Sequence, residues 1–116
     1  MLLKMMKSKI HRAKVTRSDL DYEGSITIDE RLMQAAGFLP GESVHVWNIN
    51  NGERLETYAL NAPAGSGEIC LNGAAARLVQ PGDLVIITTF CWLDEKDAAR
   101  HKPKVVLVDQ QNCRIE

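Results

Sequence analysis

The sequence predicts a small, mostly β domain, and three observations support that fold class. Turn-forming residues such as Asn51-Gly52 and Pro81-Gly82 recur about every ten residues. The stretches between them are short and have β character. The chain has 116 residues, 45% of them hydrophobic and 25% charged, which is enough for one packed core. We therefore expect one domain over residues 1–116 that needs neither disulfides nor a structural metal.

The alternation of turns and apolar stretches predicts seven strands. In chain order they are Ile10–Thr16, Ser25–Ile28, Val44–Ile49, Leu55–Leu60, Ile69–Leu71, Leu84–Phe90 and Val105–Val108. Asn51-Gly52 lies between the third and fourth strands, and both residue types tolerate positive φ. We expect a hairpin turn there.

Short helices interrupt the strands. The first is predicted over Glu30–Ala36, with Asp29 as its N-cap and Gly37 as its left-handed end. The second is predicted over Ala74–Leu78 and a third over Asp94–Arg100. The predicted fold is therefore mostly β with short helices.

A weak internal repeat appears at an offset of 41 residues. Pro40-Gly41-Glu42 leads into Ser43–Val46, and Pro81-Gly82-Asp83 leads into Leu84–Ile87. Each copy follows a helical segment. Two such units, each covering the open edge of the other, predict a barrel with pseudo-twofold symmetry.

Charge is distributed unevenly along the chain. The net charge is −1, which suggests neither a nucleic acid nor a membrane as partner. Residues 1–20 nevertheless carry six basic groups against Asp19, a charge of +5, so the remaining residues sum to −6. This amino end is either a solvated basic strand or a surface that attracts an anionic ligand.

The apolar runs and the cysteine spacing argue against a membrane protein and against a metal site. The longest apolar run, Leu84–Ile87, is far too short to cross a bilayer, so we expect a cytoplasmic protein. The three cysteines have no CxxC spacing and the three histidines are scattered, so we expect no metal.

The most informative local sequence is Gly24-Ser25 at the start of a predicted strand. Gly24 leaves its carbonyl uncrowded and permits backbone geometries that other residues resist. The Ser25 hydroxyl can therefore attack that carbonyl and convert the amide into an ester. A plain turn into a strand is the alternative reading.

Two other segments are candidates for binding. Strand alternation puts Arg54, Glu56 and Tyr58 on one face and Thr57 on the other, so a bend or bulge is needed to gather them. The segment 72–76 joins a strand to a helix, and its amides can bind a carboxylate or simply form a tight turn. His11 can likewise be an ordinary surface histidine.

These same stretches carry a resemblance to a known family. The chain resembles the bacterial pyruvoyl-dependent L-aspartate 1-decarboxylases over most of residues 1–92. The matching motifs, each short but specific in their joint order and spacing, are Lys9–Thr16, Asp21–Ser25, Trp47–Gly52, Arg54 with Thr57–Ala59, and Leu71–Ala76. The segment after Phe90 matches less well.

The resemblance implies a fold and a maturation reaction. The implied fold is a double-psi β-barrel that assembles as a homotetramer with sites between subunits. The implied proenzyme cleaves itself at Gly24-Ser25 into a β chain, residues 1–24, and an α chain, residues 25–116. Ser25 becomes a pyruvoyl group, Thr57 stabilises the oxyanion of the cleavage step, and Asn72 supports processing.

The resemblance also implies the activity, which is conversion of L-aspartate to β-alanine and carbon dioxide for pantothenate synthesis. The pyruvoyl carbonyl forms a Schiff base with the substrate and serves as the electron sink, so no external cofactor is needed. Tyr58 is the implied proton donor. The implied substrate-binding residues are Lys9, His11, Arg54, Thr57, Gly73, Ala74 and Ala75. The resemblance leaves room for a maturation factor.

Two other functions compete with this one. The segment from Ser25 to Leu60 also resembles the swapped-hairpin barrels of small bacterial transcription regulators, which bind DNA through basic loops. Steep loss of DNA binding with added salt would indicate that class. A noncatalytic barrel subunit that never cleaves is the third alternative, and an intact mature chain would indicate it.

Overall fold

The protein is described by a computed structural model that covers residues 1–115, and it consists mainly of β-strands, as predicted. All seven predicted strands are present, and Arg17–Asp19 and Arg114–Ile115 are additional. In chain order the elements are β1 (Leu2–Lys14), β2 (Arg17–Asp19), β3 (Ser25–Asp29), α1 (Glu30–Ala36), β4 (Ser43–Asn48), β5 (Arg54–Ala62), β6 (Ile69–Asn72), a 3-10 helix (Gly73–Leu78), β7 (Leu84–Asp94), α2 (Glu95–Ala98), β8 (Lys104–Val108) and β9 (Arg114–Ile115).

The central strands close into a barrel. Hydrogen-bonded neighbours run in the order β2-β6-β3-β5-β4-β7-β1, and only Val15 and Thr16 separate β1 from β2. Val15 N donates to Asp83 O beside β7 at 2.8 Å, and Thr16 N donates to Ile69 O of β6 at 2.8 Å. The β1–β2 path therefore joins both ends of this order, which removes the open edges.

The predicted repeat is confirmed as pseudo-twofold symmetry. Gly41 N donates to Ala59 O at 2.7 Å, and Gly82 N donates to Val15 O at the same distance, so equivalent turns bond equivalent strands. Both glycines adopt positive φ, +85° and +95°. β3 pairs in parallel with β5, and β2 with β6, one parallel pair in each half. With β1 and β2 counted as one path, the order contains six strand paths. Six paths with this symmetry form a double-psi β-barrel.

Several predicted boundaries were wrong for identifiable reasons. β1 begins at Leu2 rather than Ile10, because residues 2–8 pair with the extended end of β7. The predicted hairpin between β4 and β5 is confirmed, but its connection spans residues 49–53, and within it only Gly52 has positive φ, +77°. The third helix is shortened to Glu95–Ala98, because Asp94 still belongs to β7 and acts as the N-cap.

Asp29 anchors α1 to the loop before β6. Its Oδ1 accepts hydrogen bonds from Arg31 N at 2.9 Å and Gly65 N at 3.1 Å, and its Oδ2 accepts one from Gly67 N at 2.8 Å. Burial alone would raise the pKa of Asp29, but these three N–H donors outweigh it and lower that pKa below its ordinary value. The predicted cap and the left-handed end at Gly37 are both confirmed.

The core fills the barrel with alternate residues of each strand. Burial of each such side chain contributes about 1.5–3 kcal/mol, which explains why no disulfide is needed. The fully buried members with no exposed surface include Ile10, Ile26, Ile28, Val44, Val46, Ile69, Leu71, Val85 and Ile87. Within residues 1–115, no helix is long and apolar enough to cross a membrane.

Candidate active site

The Gly24-Ser25 bond lies where an exposed loop enters the barrel. Gly24 is exposed, whereas Ser25, the first residue of β3, has no exposed surface. The Ser25 hydroxyl donates to Glu23 O at 3.4 Å, a long and weak hydrogen bond. The serine is thus held at the boundary between loop and core, next to the peptide bond that it would attack.

Glycine geometry in this region differs from the prediction. Gly24 is outside the positive-φ region, and no distant atom lies within 4 Å of the place where its Cβ would be. Gly73 instead has φ +63°, and a Cβ there would lie 2.8 Å from both Gly24 Cα and Gly24 N. The residue that must be glycine for steric reasons is therefore Gly73, because its backbone packs directly on Gly24.

Asn72 lies directly opposite Ser25 in the antiparallel β3–β6 pair. Its Nδ2 donates to Ser25 Oγ at 2.9 Å and to Thr27 Oγ1 at 2.9 Å. Asn72 is itself buried, with 2% of its surface exposed. An amide N–H that already contacts the serine oxygen can stabilise negative charge that develops there.

A cavity of about 220 Å³ adjoins this segment. Its walls bring together several residues named from the sequence, namely Gly24, Thr57, Ala74 and Ala75, with Leu55, Glu56 and Leu78 completing the lining. The small side chains at 74 and 75 leave room for a small polar molecule beside the cleavage bond.

The rest of β5 follows strict strand alternation. Arg54 and Tyr58 are exposed, whereas Thr57 between them is half-buried and lines the cavity. The Arg54 guanidinium lies over the Trp47 ring, 4.5 Å from its centroid, in a separate cleft of about 480 Å³. No bend turns Arg54 or Tyr58 toward Thr57, so one chain does not bring all three together.

Lys9 and His11 lie on β1, also away from the cavity. Lys9 is paired with Thr88 of β7 and Val105 of β8. His11 lines another cavity of about 300 Å³, and its Nδ1 is buried without a hydrogen-bond partner among residues 1–115. Burial, followed by the positive charges of Lys9 and Arg12, lowers the pKa of His11 below its ordinary value. These effects favour the neutral form of the imidazole.

Sequence reasoning missed Thr27, Cys70 and Trp47. Thr27 and Cys70 contact Asn72, and each lies two residues from a predicted site residue on the same strand face. The two-residue period of a β-strand could have identified both. Trp47 stacks on Arg54 across the β4–β5 pair, a contact that depends on their register.

Metal and redox groups do not gather at this site. Among residues 1–115, no three His, Cys, Asp or Glu side chains converge in a way that could hold a metal ion. The three cysteines are free thiols: Cys70 is buried, Cys91 is half-buried and Cys113 is exposed.

Comparisons with known proteins give a consistent family match. Residues 1–115 match the family model described as aspartate decarboxylase. An aspartate 1-decarboxylase from Pelotomaculum thermopropionicum is 61% identical over 116 residues, which cover 100% of this chain and 88% of that protein. One from Legionella pneumophila strain Lens is 62% identical over 109 residues, covering 94% and 82%. Among solved structures, the computationally designed protein msDPBB_sym2 aligns with a TM-score of 0.42 and 21% identity, over 75% of this chain and 96% of that one.

Proposed function

Since the chain belongs to the aspartate decarboxylase family, we propose that it is a self-processing aspartate 1-decarboxylase that converts L-aspartate to β-alanine and carbon dioxide. The β-alanine would supply pantothenate synthesis. The observation that carries the proposal is the buried Ser25 hydroxyl beside Gly24, with the Asn72 amide donating to it at 2.9 Å. The cavity beside this bond gives a substrate a place to bind.

Self-cleavage begins with attack of Ser25 Oγ on the Gly24 carbonyl carbon. The Gly24-Ser25 C–N bond breaks, an ester forms, and the hydroxyl proton ends on the released amine. Loss of the α-proton of residue 25 then expels the Gly24 carboxylate and leaves dehydroalanine, which water converts to pyruvoyl with release of ammonia. Asn72 and Thr57 are the proposed supports, Asn72 at the attacking oxygen and Thr57 at the oxyanion.

The residues around position 25 fit a pyruvoyl group. The backbone of Gly73 leaves no space for a side chain against Gly24, while Ala74 and Ala75 keep the adjacent cavity open. The pyruvoyl carbonyl supplies the electron sink that loss of a carboxylate from an amino acid requires. The chain has to provide only orientation, charge and a proton.

The remaining roles belong to charged and phenolic side chains. Arg54 would bind a substrate carboxylate through its guanidinium, Lys9 and His11 would join it only in the assembled site, and the backbone of residues 73–75 would contact the substrate. Tyr58 would deliver a proton to the carbon that loses its carboxylate. Lys9 belongs to the +5 segment of residues 1–20, which attracts an anionic amino acid.

We propose that the complete site forms between copies of the chain in a homotetramer. Arg54 and Tyr58 lie on the face of β5 opposite Thr57, so a neighbouring subunit is needed to bring such groups to a cavity. Large apolar side chains are exposed on the outer strands and offer contact surface, among them Leu2, Trp92, Val105, Leu107 and Ile115. Three free thiols agree with the reducing cytoplasm as its location. A maturation factor would act on the loop before Ser25.

Isotopic labelling tests the proposed reaction. Aspartate labelled in its α-carboxylate should release labelled carbon dioxide and unlabelled β-alanine, whereas label in the side-chain carboxylate should remain in the product. Formation of alanine, or no release of carbon dioxide, would contradict the proposal.

Arg54→Ala should cleave normally but lose about 10- to 100-fold in kcat/KM for aspartate, since charged hydrogen bonds are lost. Undiminished turnover in that variant would remove Arg54 from the site.

A further inference from the structure

Four polar side chains form a compact group on one face of the β3–β6 pair. Ser25 is paired with Asn72 and Thr27 with Cys70, and both strands present these residues at a spacing of two. We name Ser25, Thr27, Cys70 and Asn72 the cross-strand quartet. Cys70 has no exposed surface, and its Sγ donates to Asn72 Oδ1 at 3.2 Å.

The structure satisfies the Asn72 amide with its N–H toward the two hydroxyls. Because the hydroxyls can donate or accept whereas the thiol sulfur accepts only weakly, the Cys70 thiol is the member that most favours this orientation. The thiol donates to Oδ1, while Nδ2 donates to the hydroxyl oxygens of Ser25 and Thr27. Burial raises the pKa of the Cys70 thiol, against an opposing effect of Arg17, so the sulfur keeps its proton at neutral pH. An amide turned by 180° would place its NH2 group against the S–H donor and its oxygen against Ser25.

That orientation matters for the attack of Ser25. An N–H that donates to Ser25 Oγ stabilises negative charge as the hydroxyl loses its proton, and the oxygen keeps a free lone pair. A carbonyl oxygen in the same place would repel the developing charge. The reactivity of Ser25 therefore depends on which end of the Asn72 amide faces it.

We propose that Cys70 and Thr27 are positioning residues for self-cleavage, which fix the Asn72 amide with its N–H toward Ser25. The inference rests on the proposed self-processing function and deepens it. Neither residue touches the bond that breaks, and both act through Asn72. A cysteine that would otherwise be only a core side chain thus acquires a role in maturation.

Variants at position 70 separate hydrogen bonding from packing. Cys70→Val keeps a similar volume without a donor, whereas Cys70→Ser keeps a donor in a smaller side chain. The full-length chain is made by cell-free synthesis, and cleavage is followed by denaturing electrophoresis as a first-order rate. Loss of one hydrogen bond should slow Cys70→Val about tenfold, while Cys70→Ser should stay within about threefold of wild type. Cys113→Val, at an exposed thiol, is the matched control.

A double-variant cycle identifies the route of the effect. In an Asn72→Ala background, Cys70→Val should cause no further slowing, because the group that it positions is gone. Thr27→Val should slow cleavage in the wild-type background and likewise add nothing to Asn72→Ala. Wild-type rates in Cys70→Val, or equal slowing with and without Asn72, would overturn the inference. If the wild-type chain itself fails to cleave, the proposed function fails instead.

Discussion

The proposed cleavage segment around Gly24-Ser25 and the set of residues proposed to bind aspartate are built in opposite ways. At the cleavage segment, Ser25, Asn72 and Gly73 come from two adjacent strands and are already in contact within one chain. Of the residues proposed to bind aspartate, Lys9 lies on β1 and Arg54 on β5, strands that are not neighbours, and both are outside the cavity beside Gly24. One region is assembled by a single chain, and the other is a set of separated side chains.

Under the proposed function, maturation could therefore proceed within one folded chain, whereas decarboxylation would require side chains that one chain leaves apart. The proposed attack of Ser25 on Gly24 would need only groups that neighbouring strands bring together. In the proposed function, binding and protonation of aspartate would need Arg54 and Tyr58, which β5 directs away from Thr57. Variants of the first region should therefore stop both reactions, whereas variants of the second should stop only turnover.

Ser25→Ala is the change with the largest expected effect, a complete loss of both reactions. Alanine has no nucleophile for the acyl shift, so the chain should stay whole and produce no β-alanine. Electrophoresis under denaturing conditions and a β-alanine assay measure the two outcomes. Ser66→Ala, at an exposed loop serine, is the control and should behave as wild type. Cleavage in Ser25→Ala would place the reactive bond elsewhere.

Tyr58→Phe should separate the two regions most clearly. The variant should cleave at the wild-type rate but lose about 10²- to 10⁴-fold in turnover, the range expected when a general acid is removed. Cleavage half-times and kcat for aspartate are the measurements. Tyr22→Phe, at the exposed tyrosine of the loop before Gly24, is the matched control. Normal turnover in Tyr58→Phe would mean that another acid delivers the proton.

Gly73→Ala should slow self-cleavage by about tenfold or more. The added Cβ would lie 2.8 Å from Gly24 Cα in a backbone with φ +63°, so the cleavage segment has to move. Gly37→Ala provides the control, because Gly37 has φ +75° but open space around its Cβ. The Gly37→Ala control should lose stability without a change in cleavage rate. Equal cleavage rates in both variants would show that contact with Gly24 is unimportant.

The smallest expected effect is a pH dependence of stability due to His11. Its pKa is lowered in the folded chain, so the unfolded chain binds more protons as the pH falls below 6.5. His11 thus contributes stability that is present above pH 6.5 and is lost at lower pH. Between pH 7 and pH 5.5, the unfolding midpoint of the Ser25→Ala chain should fall further than that of Ser25→Ala with His11→Gln. Identical pH profiles would show that His11 is not desolvated in the assembled protein.

Local sequence predicted the barrel well where local forces decide the structure. Asp29 and Gly37 bound α1 as expected, and the paired Pro-Gly turns gave the pseudo-twofold symmetry. The early start of β1 was missed because residues 2–8 are held by distant β7 rather than by their own propensity.

Part of the geometry of the candidate site was also predictable from local sequence. Alternation in β5 correctly separated Tyr58 from Thr57. The steric demand at Gly73 and the thiol contact of Cys70 with Asn72 depend on cross-strand register, which the sequence does not specify.

The intact mass of the purified protein under denaturing conditions shows whether Ser25 becomes the reactive group. Ser25 is the source of the reactive group in this account, so the protein should contain two chains, residues 1–24 and 25–116. The larger chain should lack a free amino terminus and weigh one ammonia less than a chain that begins with serine. A single chain of 116 residues that still converts aspartate to β-alanine would contradict the account, because the electron sink would then have to come from elsewhere.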